Sequence, residues 1–196
     1  AERAAEIRVR PGRPEDAARI AGAYLAAWRA SSGELTNSAE GGASSPSPQL
    51  GPSDLREQAE RFEGFMRRGE RLFLVAELLG GRGELCGFLS YGPSVTKPDF
   101  GEVMQLYVHP DRQRRGVGSR LLRAAWEDML RHPWAALGRH VWATKGNPAN
   151  RVYTSMGWAP SGREKTLQPS LAAGPVVVVE HVAPDAAPPP PAARPR

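Results

Sequence analysis

Cysteine is almost absent: Cys86 is the only one in 196 residues. No intrachain disulfide can form, a thiolate metal site would lack a second thiolate, and a reducing, cytoplasmic compartment fits best. The four histidines have no metal-ligand spacing, so no metal is implied. Long apolar runs are missing as well. Tracts such as Val176–Val179 are short, and the charged start AERAAEIRVR offers no apolar stretch of the kind a secretory signal needs, so the chain is expected neither to enter nor to span a membrane. Charge of one sign is not in large excess. Lys and Arg number 26 against 21 Asp and Glu, a formal +5 that suits an anionic ligand but falls short of a dedicated nucleic-acid binder.

What remains is the composition of one globular domain, 40% hydrophobic and 24% charged, diluted by 21 Gly and 19 Pro. Residues Ile7–Arg10 alternate apolar and charged like a half-buried strand, and PEDAARIAGAYLAAWRA reads as a helix with Ile20, Tyr24, Ala27 and Trp28 on one face. Pro14, Glu15 and Asp16 suit its first turn, whereas Arg13 stands where Ser, Thr or Asp would cap best. From Ser31 to Pro52 the chain turns to Ser, Gly, Pro and Ala and predicts a flexible loop of the sort that serves as a lid or substrate-binding segment. Ser53 can cap a second helix to about Arg68.

RLFLVAELL and ELCGFLSYG flank a Gly-rich turn and predict an antiparallel hairpin, with EVMQLYV from Glu102 to Val108 as the next strand. After it comes a helix in which Leu121, Leu122, Ala125, Met129 and Leu130 are periodic. Then come a short strand HVWAT, a helix from about Pro148 to Met156 closed by Gly157, and a β-prone run at Val176–Val182. The expected organisation is an N-terminal extension over 1–6, one domain over 7–182 that includes the 31–52 loop, and a disordered Pro- and Ala-rich tail over 183–196. No internal repeat is visible.

The segment Gln113, Arg114, Arg115, Gly116, Val117, Gly118, Ser119 lies between a strand and a helix. Backbone N–H groups converge at such a junction, the helix dipole adds positive potential, and glycines let the main chain approach a ligand, a geometry suited to a diphosphate. The spacing is neither GxxxxGK[ST] nor a full GxGxxG, which removes the main support for a nucleotide P-loop or a dinucleotide fold. By itself the heptapeptide reads equally well as a plain turn with solvated arginines.

In its wider setting, LYVHPDRQRRGVGSRLL resembles the acyl-CoA-binding signature of the GNAT superfamily of N-acetyltransferases, Gln/Arg-x-x-Gly-x-Gly/Ala after an apolar strand ending Val-x-Pro. Downstream, GNPANRVYTSMGW resembles the family's second cofactor segment, with Asn147 and Asn150 as candidate loop residues and Tyr153 four residues before Gly157-Trp158. The resemblance runs from about Ile7 to Val182 and is strongest between Glu102 and Trp158.

That resemblance implies an α/β fold: a mixed, mainly antiparallel central sheet flanked by helices, in a single domain. It implies that the fourth strand splays from the fifth, so that Leu106, Tyr107 and Val108 present an edge to the pantetheine arm of acetyl-CoA while residues 113–119, Asn147, Asn150 and Tyr153 complete the cofactor site. A main-chain N–H of Leu106 or Val108 would stabilise the oxyanion. Tyr153 would protonate the leaving sulfur. Glu102, eleven residues before Gln113, matches the position of the catalytic glutamate in histone-modifying members and is the candidate base, although a glutamate at a strand start is as readily a solvated surface residue.

The implied reaction is acetyl transfer from acetyl-CoA to a primary amine by direct attack in a ternary complex, with a small-molecule or protein amine as acceptor. A CoA-binding regulatory or interaction module without turnover is the alternative. Neither nucleic acid nor membrane is an expected partner: a nucleic-acid binder would spread basic and aromatic residues over one face instead of packing five arginines between Arg112 and Arg123. A homodimer through the late strands is compatible with the sequence.

Overall fold

The alternation at the start of the chain does form a strand, and one arginine anchors both its neighbouring strand and the turn after it. In the computed structural model, which describes residues 6–26, 52–79, 84–168, 175–185 and 188, β1 is Ile7–Pro11. Arg10 forks onto two carboxylates, Glu77 on the neighbouring strand (2.6 and 2.9 Å) and Asp16 in the next turn (2.7 and 2.9 Å). Asp16 also accepts from the Arg13 N–H at 2.9 Å, so the helix entry that lacks a conventional cap residue is capped from three residues downstream. The 3-10 turn Pro14–Asp16 leads into α1 over 17–26. Ala27, Trp28 and the expected loop up to residue 51 lie outside the described residues, and Pro52 already begins α2, Pro52–Arg67.

The predicted hairpin is β2, Leu72–Leu78, against β3, Leu85–Pro93, and β3 pairs in turn with β4, Phe100–Val108. α3, Val117–Met129, buries Val117, Leu121, Leu122, Ala125, Trp126 and Met129, the stripe that its 3.6-residue period demands. Leu130 falls past its end and is exposed. β5 is Gly138–Thr144, the 3-10 turn Pro148–Asn150 opens the short α4, Arg151–Ser155, and Gly157 closes it at φ +85°. Two strands finish the sheet, β6, Ala159–Leu167, and β7, Val176–Val182.

Among the described residues the order across the sheet is β1-β2-β3-β4-β5-β7-β6, with every pairing antiparallel except β4 with β5. The mixed, mainly antiparallel sheet is therefore as expected. One core fills the face under α3 and α4, around Leu121, Trp126, Tyr153 and Trp158. The other lies under α1 and α2, around Ile20, Phe62, Phe73 and Phe88. At the ends of the sheet the Glu6 carbonyl accepts from Leu79 N–H at 2.7 Å, and Ala183 is buried and donates to the Arg139 carbonyl at 2.9 Å.

Candidate functional site

β4 changes partners half-way along. It pairs with β3 from Gly101 to Val108, with a register shift opposite Ser90 and Tyr91 that leaves Met104 as an extra residue. With β5 it pairs only from Phe100 to Val103. Beyond that point β5 continues toward Thr144 on β7, so among the described residues Met104–Val108 has a free edge where the two parallel strands part. The His109 N–H donates to the Cys86 carbonyl at 2.9 Å, and strict alternation then turns the Tyr107 main chain to β3 and the Leu106 and Val108 main chains to the open edge. The Val108 carbonyl accepts there from the Gln113 side-chain amide at 3.3 Å. Tyr107, expected beside them, instead contributes its ring, stacked on Phe88 and edge-on to Tyr24.

The expected cradle lies at the end of that edge. Arg114 (φ +57°) and Gly116 (φ +74°) are both left-handed, the backbone form that gathers N–H groups into an anion-binding nest. The first hydrogen bond inside the helix runs from Arg120 N–H to the Gly116 carbonyl, and no side chain caps this end, so the N–H groups of Val117, Gly118 and Ser119 face outward. The two glycines serve differently. At Gly116 a Cβ would meet nothing, and only the positive φ calls for glycine; at Gly118 a Cβ would lie 3.5 Å from Val152 Cγ2 and 3.7 Å from Val108 Cγ2. Gly118 is thus the point where β4, α3 and α4 converge. Arg112 is committed to Glu84 (3.0 and 3.1 Å), which leaves Arg114 and Arg115 as the exposed cations of the cradle without a partner among the described residues. These donors fit a diphosphate.

Asn147 and Asn150 both shape the turn into α4. The Asn147 side chain accepts from Ala149 N–H at 2.8 Å, and the Asn150 amide donates to the Thr144 carbonyl at 2.7 Å, which ties the turn to the end of β5. Tyr153 on α4 is buried among Trp158 and His181, and burial pushes its hydroxyl well above the ordinary phenol range. The Tyr107 hydroxyl is likewise raised, by burial first and then by the Tyr24 and Tyr153 hydroxyls, and Tyr153 belongs to the core on the face of the sheet opposite Tyr107. His109 serves its own turn, accepting from Asp111 N–H. Cys86 is fully buried, with its thiol pushed up by desolvation.

Glu102 sits at the base of the opening, two residues before Met104, on the α1 and α2 face, and it is not solvated: its side chain is 14% exposed. Ser94 Oγ donates to its Oε2 at 2.7 Å, and His140 Nε2 lies 3.5 Å from the same oxygen. Burial would raise this carboxyl, but His140, Ser94 and the charge of Lys165 outweigh it and hold Glu102 below the ordinary range. Behind it runs a network with no counterpart among the residues singled out from the sequence. His140 Nε2 meets Ser94 Oγ at 2.9 Å, His140 Nδ1 meets Glu180 Oε1 at 2.8 Å, and Glu180, fully buried, also accepts from Lys97 (2.8 Å) and Ser161 (2.6 Å). The available signal was a lone glutamate inside the run VVVVEHV, since a charge on a buried strand must be paired. Among the described residues no group of three or more His, Cys, Asp or Glu is placed to hold a metal ion.

The sequence model of the acetyltransferase (GNAT) family matches residues 41–158, more than half of the chain. The Mycobacterium tuberculosis protein named "probable N-acetyltransferase Rv2775" is 29% identical over 120 residues, which are 61% of this chain and 63% of that protein, so the match spans less than two thirds of that relative. Solved structures share the fold, two of them as follows. The Staphylococcus aureus Mu50 N-acetyltransferase superposes with a TM-score of 0.62 at 16% identity, over 91% of this chain and 98% of its own. The PaiA N-acetyltransferase of Thermoplasma acidophilum, solved with coenzyme A, gives 0.57 at 16% identity, over 91% and 99%.

Proposed function

Because the chain belongs to the GNAT family of acetyltransferases, we propose that it transfers the acetyl group of acetyl-CoA to a primary amine by direct attack within a ternary complex. The observation that carries this reading is the free edge of β4 at Leu106 and Val108 running into an uncapped nest at residues 114–119. Acetyl-CoA supplies an acetyl group activated as a thioester. The Val117, Gly118 and Ser119 N–H groups with Arg114 and Arg115 hold its diphosphate, and the free edge accepts an extended arm as an added strand would be accepted. A main-chain N–H of Leu106 or Val108 donates to the acyl oxygen as charge grows there; removing such a donor typically costs about 10²–10³ in rate.

Glu102, ionised throughout the neutral range, draws the acceptor ammonium into the opening from the α2 face and takes one of its protons, which frees the lone pair that attacks the thioester carbon; the second proton that nitrogen sheds, once the N–C bond has formed, passes to water. Tyr153, which keeps its proton at neutral pH, gives it to the departing sulfur as the C–S bond breaks. Incubating the protein with acetyl-CoA and a panel of amines, with thiol release as readout and product mass as identification, tests the reading. Acetylation of at least one amine is expected. Binding of CoA with no product from any amine would leave a CoA-binding module, and absence of CoA binding would remove the cradle itself.

A further inference from the structure

Phe65 on α2 has three guanidinium groups around its ring, Arg71 at 4.1 Å from the centroid, Arg61 at 5.6 Å and Arg68 at 5.8 Å. Like charges so placed repel, and each calls for an anion. Arg68 has one in Glu70. Arg61 and Arg71 have no ion pair and no hydrogen bond among the described residues. Arg71 is half-buried, and its guanidinium is pushed below the ordinary range by burial and then by Arg61, with Glu102 and Glu70 offsetting only part of this. A half-buried cation beside a second cation is an arrangement that a bound anion would complete.

Its position says which anion. Arg71 shares a face of β2 with Phe73, the face that carries the core under α1 and α2. It precedes Leu72, which pairs with Tyr91, so its cross-strand neighbour is Gly92; Gly92 pairs with Glu102, and Glu102 with His140. Arg71 and Glu102 therefore stand in one row on one face, two strand spacings or about 10 Å apart along the sheet. Met104 fills the ground between them, its Cε 3.7 Å from where a Cβ on Gly92 would be.

We propose that Arg71, seconded by Arg61, binds an anionic group of the acceptor, so that the amine delivered to Glu102 belongs to a small molecule that also carries a carboxylate or a phosphate. This rests on the acetyl-transfer reading of the same site. The guanidinium fork matches both anions, and Glu102 receives the ammonium end.

Matched acceptors test it: an amino acid against its amide, and phosphoethanolamine against ethanolamine. The anionic member of at least one pair is expected to have a kcat/KM about tenfold or more above its neutral partner, the factor one charge-assisted hydrogen-bonded pair supplies. The pair that discriminates tells carboxylate from phosphate. Arg71→Gln should collapse that ratio to within about threefold by raising KM for the anionic member, and the exposed Arg61→Gln should reduce it in part. Equal kcat/KM within both pairs, with acetylation of all four, would overturn the anion subsite and leave the acetyltransferase reading intact. Acetylation of none would count against that reading. Calorimetric binding of the anionic amines to the full chain decides the subsite without turnover: weaker binding to Arg71→Gln supports it, and equal binding to both proteins overturns it.

Discussion

At the residue scale, the two candidate proton carriers have opposite environments, and those set opposite experiments. Glu102 is held ionised by Ser94 and His140, so it titrates only below the ordinary carboxylate range and is ready to accept throughout the neutral range. A lysine-type acceptor has a pKa of about 10.4 and reaches the site almost wholly as ammonium at neutral pH. Glu102→Gln should therefore lower kcat about a hundredfold near pH 7, with the deficit shrinking as pH rises and the amine deprotonates unaided. A deficit of the same size at every pH would exclude the base role. Tyr153 is raised instead of lowered, and its hydroxyl makes no hydrogen bond among the described residues. Tyr153→Phe accordingly removes no packing and no bond. Turnover should fall by about a hundredfold while CoA affinity and melting temperature hold, and unchanged turnover would take the acid role from it.

At the element scale, the site is a consequence of β4 leaving β5 while a helix begins at its far end. The two glycines of the cradle separate folding from binding there. Gly116→Ala forces a Cβ into a left-handed backbone and should cost about 1–2 kcal/mol of stability. Gly118→Ala adds a Cβ at ordinary contact distance from Val152 and Val108, inside a helix where Ala outranks Gly by about 1 kcal/mol. Its melting temperature should hold or rise while calorimetric CoA affinity falls, because Gly118 lies between Val117 and Ser119 in the helix end proposed to hold the diphosphate. Full affinity in Gly118→Ala would mean that this helix end does not hold it. Much of this was legible in the chain: the period of Leu121, Leu122, Ala125 and Met129 set α3, and the Val run set β7 to the residue. β6 was not, because nearly every residue from Ala159 to Leu167 is exposed and only pairing with β7 makes it a strand. Nor could the parting of β4 from β5 be read locally, since it depends on a parallel pairing between segments more than 30 residues apart that stops at Val103. His140 and Glu180 escaped for the same reason: they meet only once β5 and β7 pair.

At the scale of the whole molecule, those hidden pairings make the fold sensitive to acid. Asp16, Glu77, Glu102, Asp128 and Glu180 are all held below their ordinary values, and each must be protonated against its partners as pH falls. Glu180 is the most enclosed of them. Burial would raise it, yet Lys97, Ser161 and His140 together hold it at about 2, against an ordinary value of 4.5. A carboxyl depressed on folding contributes stability that is complete above its unfolded value and is lost as pH falls through its folded one. This contribution is thus full at neutral pH and drains away from about 4.5 toward 2. It also ties the β3–β4 loop, β5, β6 and β7 to one buried point, through Lys97, His140, Ser161 and Glu180 itself. Glu180→Gln should cost about 3 kcal/mol in urea unfolding at pH 7, the size expected when one partner of a buried ion pair is removed. The gap between the two proteins should then narrow as the pH is lowered, because the wild type alone loses this contribution. The other four depressed carboxyls are present in both proteins, so their acid losses cancel in the difference. A gap that stays constant from neutral pH down into the acid limb would mean that Glu180 stabilises the fold by packing and not by its charge.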